Sequence, residues 1–321
     1  MHTSEIVARA TCVQRAGTGH ADPWHQFAAD LDAGGKTRET YARALRRYRR
    51  YLEDANLGEF EATRETVLDY RRTLEEEGKS AATVNCYLTA VRSFYRWAET
   101  RRTYPNVAAG IKGERINTRG AKDSLTREQA AEIIAVDRTD LKGLRDRAMI
   151  NLMVRRGLRT VEVTRANIGD IRQLNGEAVL YVQGKGYADK GEFVVLGNEC
   201  LEPIYEYLEA RGESDPAAPL FAATGNRNRG GRMTTRSISR VVKDRMASCG
   251  ISSARLTAHS LRHTAVTFAL LGGATVQEAQ AMARHASIET TMIYAHNLDR
   301  MRAGAERAAD RFIDAVGVNT L

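Results

Sequence analysis

Only one stretch of this chain, EAVLYVQGKGYADKGEFVVL at 177–196, carries the alternating apolar pattern of β-strands; elsewhere apolar residues recur at helical spacing. Val179/Tyr181 and Phe193/Val195 alternate around a glycine-bearing turn, which reads as a β-hairpin. An isolated hairpin is marginal in water and needs a helical surface to pack on. The fold is therefore expected to be mainly α, with a small antiparallel sheet set into a mixed, mostly helical domain.

The helical text divides in two. TRETYARALRRYRRYLEDA puts Tyr41, Leu45, Tyr48 and Leu52 on one stripe and Arg43, Arg46 and Arg50 on another. SAATVNCYLTAVRSFYRWAE repeats the plan, with Ser80 as N-cap, Val84, Leu88, Val91 and Tyr95 as the buried stripe, and Arg92 and Arg96 near the surface. The aromatics here are read as core residues. PNVAAGIKGERINTRGAKD then loses helical period and gains glycine and positive charge, as a basic linker does. Beyond it, Thr126 and Gln129 suit a capping box, and residues 140–171 continue helically with a break at Gly157. Residues 200–316 read as helix around the loop AATGNRNRGGRMT. The expected division is 1–22 a flexible terminus, 23–110 a helical domain, 111–123 the linker, and 124–321 a second domain with a tail helix.

A formal net charge of +8 suits a polyanionic partner, nucleic acid first. The Arg43/Arg46/Arg50 stripe is either a solvated face or a face that tracks phosphates. No run is long and apolar enough to cross a bilayer, and the first residues lack a basic-then-apolar secretory pattern, so the cytoplasm is expected. Cys12, Cys86, Cys200 and Cys249 are scattered without a CxxC pair, which argues against a disulfide framework or a cysteine zinc site.

Chemistry concentrates near the end, in LTAHSLRHTAVTFALLGGATVQEAQAMARHASIETTMIYAH at 256–296. His259 and Arg262 are three apart and share a helix side, with His263 close to it. A histidine pair at this spacing can bind zinc, but no Glu follows His259, and an intervening arginine repels a dication; no metal is expected. Arg with His suits a phosphate, which a guanidinium grips through two oxygens. His285 follows, then Tyr294 nine residues on; the tyrosine is either a helix-face aromatic or a nucleophile.

The ordered pattern His259-x-x-Arg262, His285, Tyr294 resembles the tyrosine recombinase (phage integrase) family. RGLRTVEV resembles that family's first arginine motif, identifying Arg159 with Glu162 as its supporting acid, and GKG resembles its hairpin lysine, identifying Lys185. These matches span about 124–300, and the segment 24–109 is similar to the family's helical, SAM-like core-binding domain. Three features depart from the pattern. Arg156 stands before Gly157 where many relatives carry a small or polar residue, and Ala283-Arg284 precede His285 where Leu-Gly is common. Lys190 is a second hairpin lysine, which leaves the lysine assignment open between Lys185 and Lys190.

The resemblance implies a site-specific DNA recombinase in which Tyr294 attacks a phosphodiester, forming a 3′-phosphotyrosyl link and freeing a 5′-hydroxyl. Arg159 and Arg262 would clamp the phosphate oxygens, Lys185 would protonate the leaving oxygen, and His259 would accept or relay the Tyr294 proton. His285 would donate to the phosphate, while His263 is assigned a supporting, structural part. Two arginines and a lysine supply the positive charge, and the phosphotyrosine conserves bond energy, so no cofactor is implied. The implied partners are double-stranded DNA, with Arg43, Arg46, Arg50, Arg92 and Arg96 as candidate contacts, and three further copies of the chain on two DNA sites. In the tail, Met301, Ala305, Ala308, Phe312 and Val316 form a stripe that either docks on its own domain or, as the resemblance suggests, passes to a neighbouring protomer. The short stretch before the first helix points to a Xer-like or small mobile-element integrase, cytoplasmic and nucleoid-associated. A non-catalytic DNA-binding protein on this scaffold and a type IB-like topoisomerase are the alternatives.

Overall fold

The computed structural model describes residues 22–115, 123–135, 139–184 and 189–317, in two compact units, Met1–Thr118 and Arg119–Leu321. The expected flexible terminus, part of the basic linker and Lys185 lie outside the described residues.

The first unit is built from helices α1 (Pro23–Asp30), α2 (Gly35–Asp54), α3 (Arg64–Glu76) and α4 (Ala81–Thr100). Their starts are locally encoded. Asp22 accepts from the Trp24 amide at 2.9 Å, Thr63 and Thr66 form a reciprocal box, and the Ser80 hydroxyl accepts from the Thr83 amide. The α2 stripe buries Leu45, Tyr48 and Leu52, with Tyr41 half-buried, and α4 buries all of Val84, Leu88, Val91 and Tyr95. The aromatics are core: Trp24 stacks on Phe94 with centroids 4.1 Å apart, and Tyr70 packs on Tyr48 at 4.8 Å. Tyr95 donates to the Glu59 carbonyl at 2.9 Å and meets the Tyr48 hydroxyl at 3.0 Å. Since that proton goes to Glu59, Tyr48 donates to Tyr95, and both buried phenols are satisfied.

Arg43, Arg46 and Arg50 are exposed along α2, whereas Arg47 pairs with Glu77 and Arg49 with Asp22. Arg96 is exposed on α4. Arg92 is not a free surface cation: its guanidinium donates to the carbonyls of Leu88 and Ile111 and to the Thr89 hydroxyl.

The second unit holds α5 (Arg127–Ile134), α6 (Leu141–Arg156), α7 (Thr160–Arg165), strands β1 (Ile171–Leu174), β2 (Glu177–Val182) and β3 (Glu192–Val195), then α8 (Asn198–Arg211), α9 (Thr235–Ser248), α10 (Ala258–Leu271), α11 (Val276–Ala283), α12 (Ile288–Ala303) and α13 (Ala305–Gly317). Helix α6 buries Met149, Ile150, Leu152 and Met153 between α8 and α10. The expected Thr126/Gln129 box opens α5, and the buried Thr264 hydroxyl of α10 accepts from the Leu125 amide at 2.9 Å.

The sheet has three antiparallel strands in the order β1-β2-β3, one more than the hairpin read from the sequence. Residues 157–171 are correspondingly not a continued helix; after α7 the chain makes a 3₁₀ turn and enters β1. The cause is Asn175-Gly176, both at positive φ (51° and 84°), a two-residue turn that folds IRQL back onto β2. Val179 pairs with Val195 and Tyr181 with Phe193, while Leu180 and Val194 face the core.

Helix α13 leaves its apolar side uncovered. Ala305 and Ala308 are exposed, as are Phe312 at 78% and Ile313 at 67%, so the tail is not docked on its own unit there; the side chains of Met301 and Val316 lie outside the described residues.

Replacing Tyr95 with Phe removes a donor and an acceptor from a closed, buried pair of phenols. A loss of about 1–3 kcal/mol is expected, read as a lower urea midpoint in the transition that reports the first unit.

Candidate active site

The site grows from two helix ends in the second unit. Helix α6 ends at Gly157, whose φ of 62° is left-handed; the turn frees its carbonyl and sends the chain into Leu158-Arg159. Arg159 caps α7, and Glu162 sits three residues on, its carboxylate accepting from the Arg159 amide at 2.8 Å and from Arg159 Nη1 at 2.7 Å. The second end is that of α11, where Arg284 adopts φ 52° and ψ 50°. The two carbonyls around this turn face the arginines: Ala283 O accepts from Arg262 Nη2, and Arg284 O accepts from Arg159 Nη2 at 3.0 Å.

Glu162 is fully buried. Burial alone would push its carboxyl up, but the Arg284 charge, together with hydrogen bonds from Arg284 and Arg159, outweighs it and holds the group below its ordinary value. Glu162 is thus a buried anion with two cationic partners. Arg284 reaches it through Nη2 at 2.7 Å and Nε at 3.4 Å, and Arg284 Nη1 donates to Met282 O at 2.6 Å.

Helix α10 supplies the next group. Thr257 caps it, accepting from the His259 amide at 3.3 Å. Arg262, 2% exposed, is held from both sides, Nη1 donating to Gly157 O at 2.7 Å and Nη2 to Ala283 O. Its acidity is raised first by burial and then by Arg159 and Arg284, which bring its pKa down to about 9; it stays charged at neutral pH. This is a guanidinium with unsettled electrostatics, and an anion beside it would relieve them.

Helix α12 delivers the phenol. Tyr294 is 6% exposed and packs with Val266 and Ala283. Its hydroxyl is hydrogen-bonded to Nδ1 of His263, not to His259. Burial pushes the phenol up to about 12, opposed in part by the Arg262 charge. His259 is exposed and meets His263 edge-on, with ring centroids 4.4 Å apart. His285 lies nearly parallel to the Tyr294 ring at 6.4 Å, its Nδ1 2.8 Å from the hydroxyl of fully buried Thr291.

Arg159, Glu162, His259, Arg262, His263, His285 and Tyr294 therefore gather in one region of one chain. Lys185 lies outside the described residues. Lys190, the other hairpin lysine, is engaged elsewhere: Nζ donates at 2.5 Å to Asp170, which also accepts from the Asn167 amide. Sequence reasoning did not assign Arg284, Thr291 or the carbonyls of Gly157 and Ala283. Arg284 left one trace, as a departure beside His285; backbone carbonyls leave none. A cleft of about 1100 Å³ opens beside the arginines, lined by Arg156, Arg159, Arg284, His285, Gln280 and Phe193 among others. Convergent guanidinium groups, a histidine and a phenol in one chain suit capture of a phosphoryl group and attack upon it.

Residues 123–301 match the model of the phage integrase family, and residues 26–102 match the phage integrase N-terminal SAM-like domain. The tyrosine recombinase XerC of Pelobacter propionicus is 32% identical over 283 residues, covering 85% of this chain and 88% of the relative. The tyrosine recombinase XerD of Bifidobacterium longum is 32% identical over 267 residues, covering 80% and 85%. Among solved structures, the XerH site-specific recombinase in a post-cleavage complex with palindromic difH substrate shares the fold, with a TM-score of 0.71, 20% identity and coverage of 95% and 92%. The Tn1549 transposon integrase in complex with transposon right end DNA gives a TM-score of 0.68 at 18% identity, covering 89% and 98%.

Gly157 tests how far this frame depends on its left-handed turns. A methyl group there would stand 3.3 Å from Ala265 Cβ at a φ of 62°. Gly157→Ala is expected to cost about 1–2 kcal/mol, read as a reduced denaturation midpoint of the second unit against wild type.

Proposed function

This chain belongs to the phage integrase family, the tyrosine recombinases, and from that premise we propose how its own residues carry out site-specific cutting and rejoining of DNA. The observation that carries the assignment is that Tyr294 packs on Ala283, whose carbonyl holds Arg262, in the same chain. Tyr294 is the nucleophile. Its oxygen bonds to the scissile phosphorus, the 5′ oxygen leaves, and a 3′-phosphotyrosyl link remains.

Arg159 and Arg262 bind the non-bridging oxygens and neutralise the charge that grows in the transition state, with His285 as a further donor. Lys185 protonates the leaving 5′ oxygen. Lys190, committed to Asp170, does not compete for that part. Attack by a free 5′-hydroxyl of a partner strand reverses the chemistry and completes exchange, so no external energy source is required.

A phenol only 6% exposed and bonded to His263 cannot meet a phosphodiester where it rests. Cleavage therefore includes a displacement of α12 that releases Tyr294 from His263 and turns it toward the bound phosphate. His263 holds the phenol before DNA arrives, and the exposed His259 accepts or relays its proton afterwards.

Exposed Arg43, Arg46, Arg50 and Arg96 are proposed to contact DNA phosphates, giving affinity that falls as salt rises. Recombination joins two duplexes with four active sites, and a homotetramer meets that need. The uncovered Phe312 and Ile313 of α13 support its packing onto a neighbouring protomer in that assembly.

Two experiments test this reading. Nicked duplexes with randomised cores, mixed with the protein and then denatured, are expected to yield a covalent protein–DNA adduct whose sequence reveals the preferred site. Tyr294→Phe should give no adduct, and Arg159→Ala or Arg262→Ala should slow its formation by about 10²–10³-fold. A wild-type protein that binds DNA without forming an adduct would favour a non-catalytic binder. Separately, Phe312→Asp is expected to retain single-site binding and lose the paired-site complex in native gel electrophoresis; unchanged pairing would reject the exchanged tail.

A further inference from the structure

Arg284 belongs to none of the roles above, yet it touches both members of the Arg159–Glu162 pair. Its backbone is left-handed, a conformation that glycine adopts freely and that a side-chain-bearing residue adopts at a cost. Its guanidinium is nearly inaccessible, the side chain being 4% exposed, and it spends its donors on Glu162 and Met282 O. Its carbonyl receives Arg159 Nη2. The result is a closed ring: Arg159 donates to Glu162, Arg284 donates to Glu162, and Arg159 donates back to the Arg284 backbone.

Two consequences follow from the charges. If Glu162 were paired with Arg159 alone, the carboxylate would cancel the Arg159 charge and leave Arg262 alone to attract the phosphate. With Arg284 sharing the same carboxylate, three guanidinium groups face one buried anion, and a surplus of positive charge remains at the site. Arg284 also limits the orientations open to Arg159, because a carboxylate held from a second side cannot swing with its partner.

We propose that Arg284 is a positioning residue for strand cleavage, holding Glu162 so that the Arg159 guanidinium is fixed for phosphate binding with its charge uncancelled. This rests on the recombinase reading and adds a residue to it. Arg284 acts through Glu162.

The test uses the full chain and the nicked duplex recovered from the adduct selection. Arg284→Gly suits the turn's backbone and keeps the carbonyl, so its fold is expected to hold, checked by its thermal midpoint. At saturating DNA its adduct should form at least about ten-fold more slowly than wild type, with DNA affinity within about two-fold. Added guanidinium ion, and the conservative Arg284→Lys, should each restore part of the rate. In a Glu162→Gln background, Arg284→Gly should slow cleavage less than about two-fold further, since both changes break the same ring. Cleavage by Arg284→Gly at the wild-type rate, a loss confined to DNA affinity, or losses that multiply in the double variant would each overturn the proposal. A wild-type protein that forms no adduct would overturn the recombinase reading and this one with it.

Discussion

A buried carboxylate sets the terms for the site. Glu162 has no solvent to stabilise its charge, so it must be satisfied by protein donors, and it is satisfied by Arg159 from its own helix start and Arg284 from the end of α11. Removing both partners would leave a charge stranded in the interior, which is among the costlier local defects a fold can carry. The pairing thereby ties residues far apart in sequence into one rigid unit before any ligand is present.

Around that anchor, two left-handed turns do the orienting. Gly157 and Arg284 end α6 and α11 with the backbone turned so that carbonyls point inward, and Arg262 is suspended between Gly157 O and Ala283 O. Carbonyl acceptors fix a guanidinium without neutralising it. Arg262 accordingly keeps its charge, and its lowered pKa reflects burial and the neighbouring arginines. Such a frame is prepared for an anion, and electrostatic preparation of this kind needs little reorganisation when the charge arrives. The phenol is handled differently: α12 carries Tyr294 into the same neighbourhood but beds it among Val266 and Ala283, bonded to His263. A stiff arginine frame beside a sequestered phenol keeps the proposed nucleophile from acting before DNA is in place.

Much of this was legible in the residues. The stripes of Leu45, Tyr48, Leu52 and of Val84, Leu88, Val91, Tyr95 are buried because helical period and burial are the same geometric fact. The caps at Ser80 and Thr126 were readable because capping is local. Strand β1 escaped because IRQL is too short and too polar to show a period, although Asn175-Gly176 announced its turn. The approach of Arg159, Arg262 and Tyr294 followed from motif order. Their fine geometry did not: whether His259 or His263 meets the phenol depends on how α12 packs, and carbonyls such as Gly157 O and Ala283 O look alike in any sequence. Arg92 illustrates the converse, a surface arginine by pattern that the Ile111 carbonyl holds in place.

In each working site, one chain is proposed to supply both the arginine frame and the phenol. Mixing Tyr294→Phe, which lacks the nucleophile, with the much slower Arg262→Ala on a duplex bearing paired sites decides this. If each site is built within a single chain, no combination of the two completes one, and the mixture forms no covalent adduct beyond that of the separate variants. A mixture that forms the adduct at a rate approaching wild type would mean that the tyrosine of one protomer serves the arginines of another, and that no site is completed within one chain.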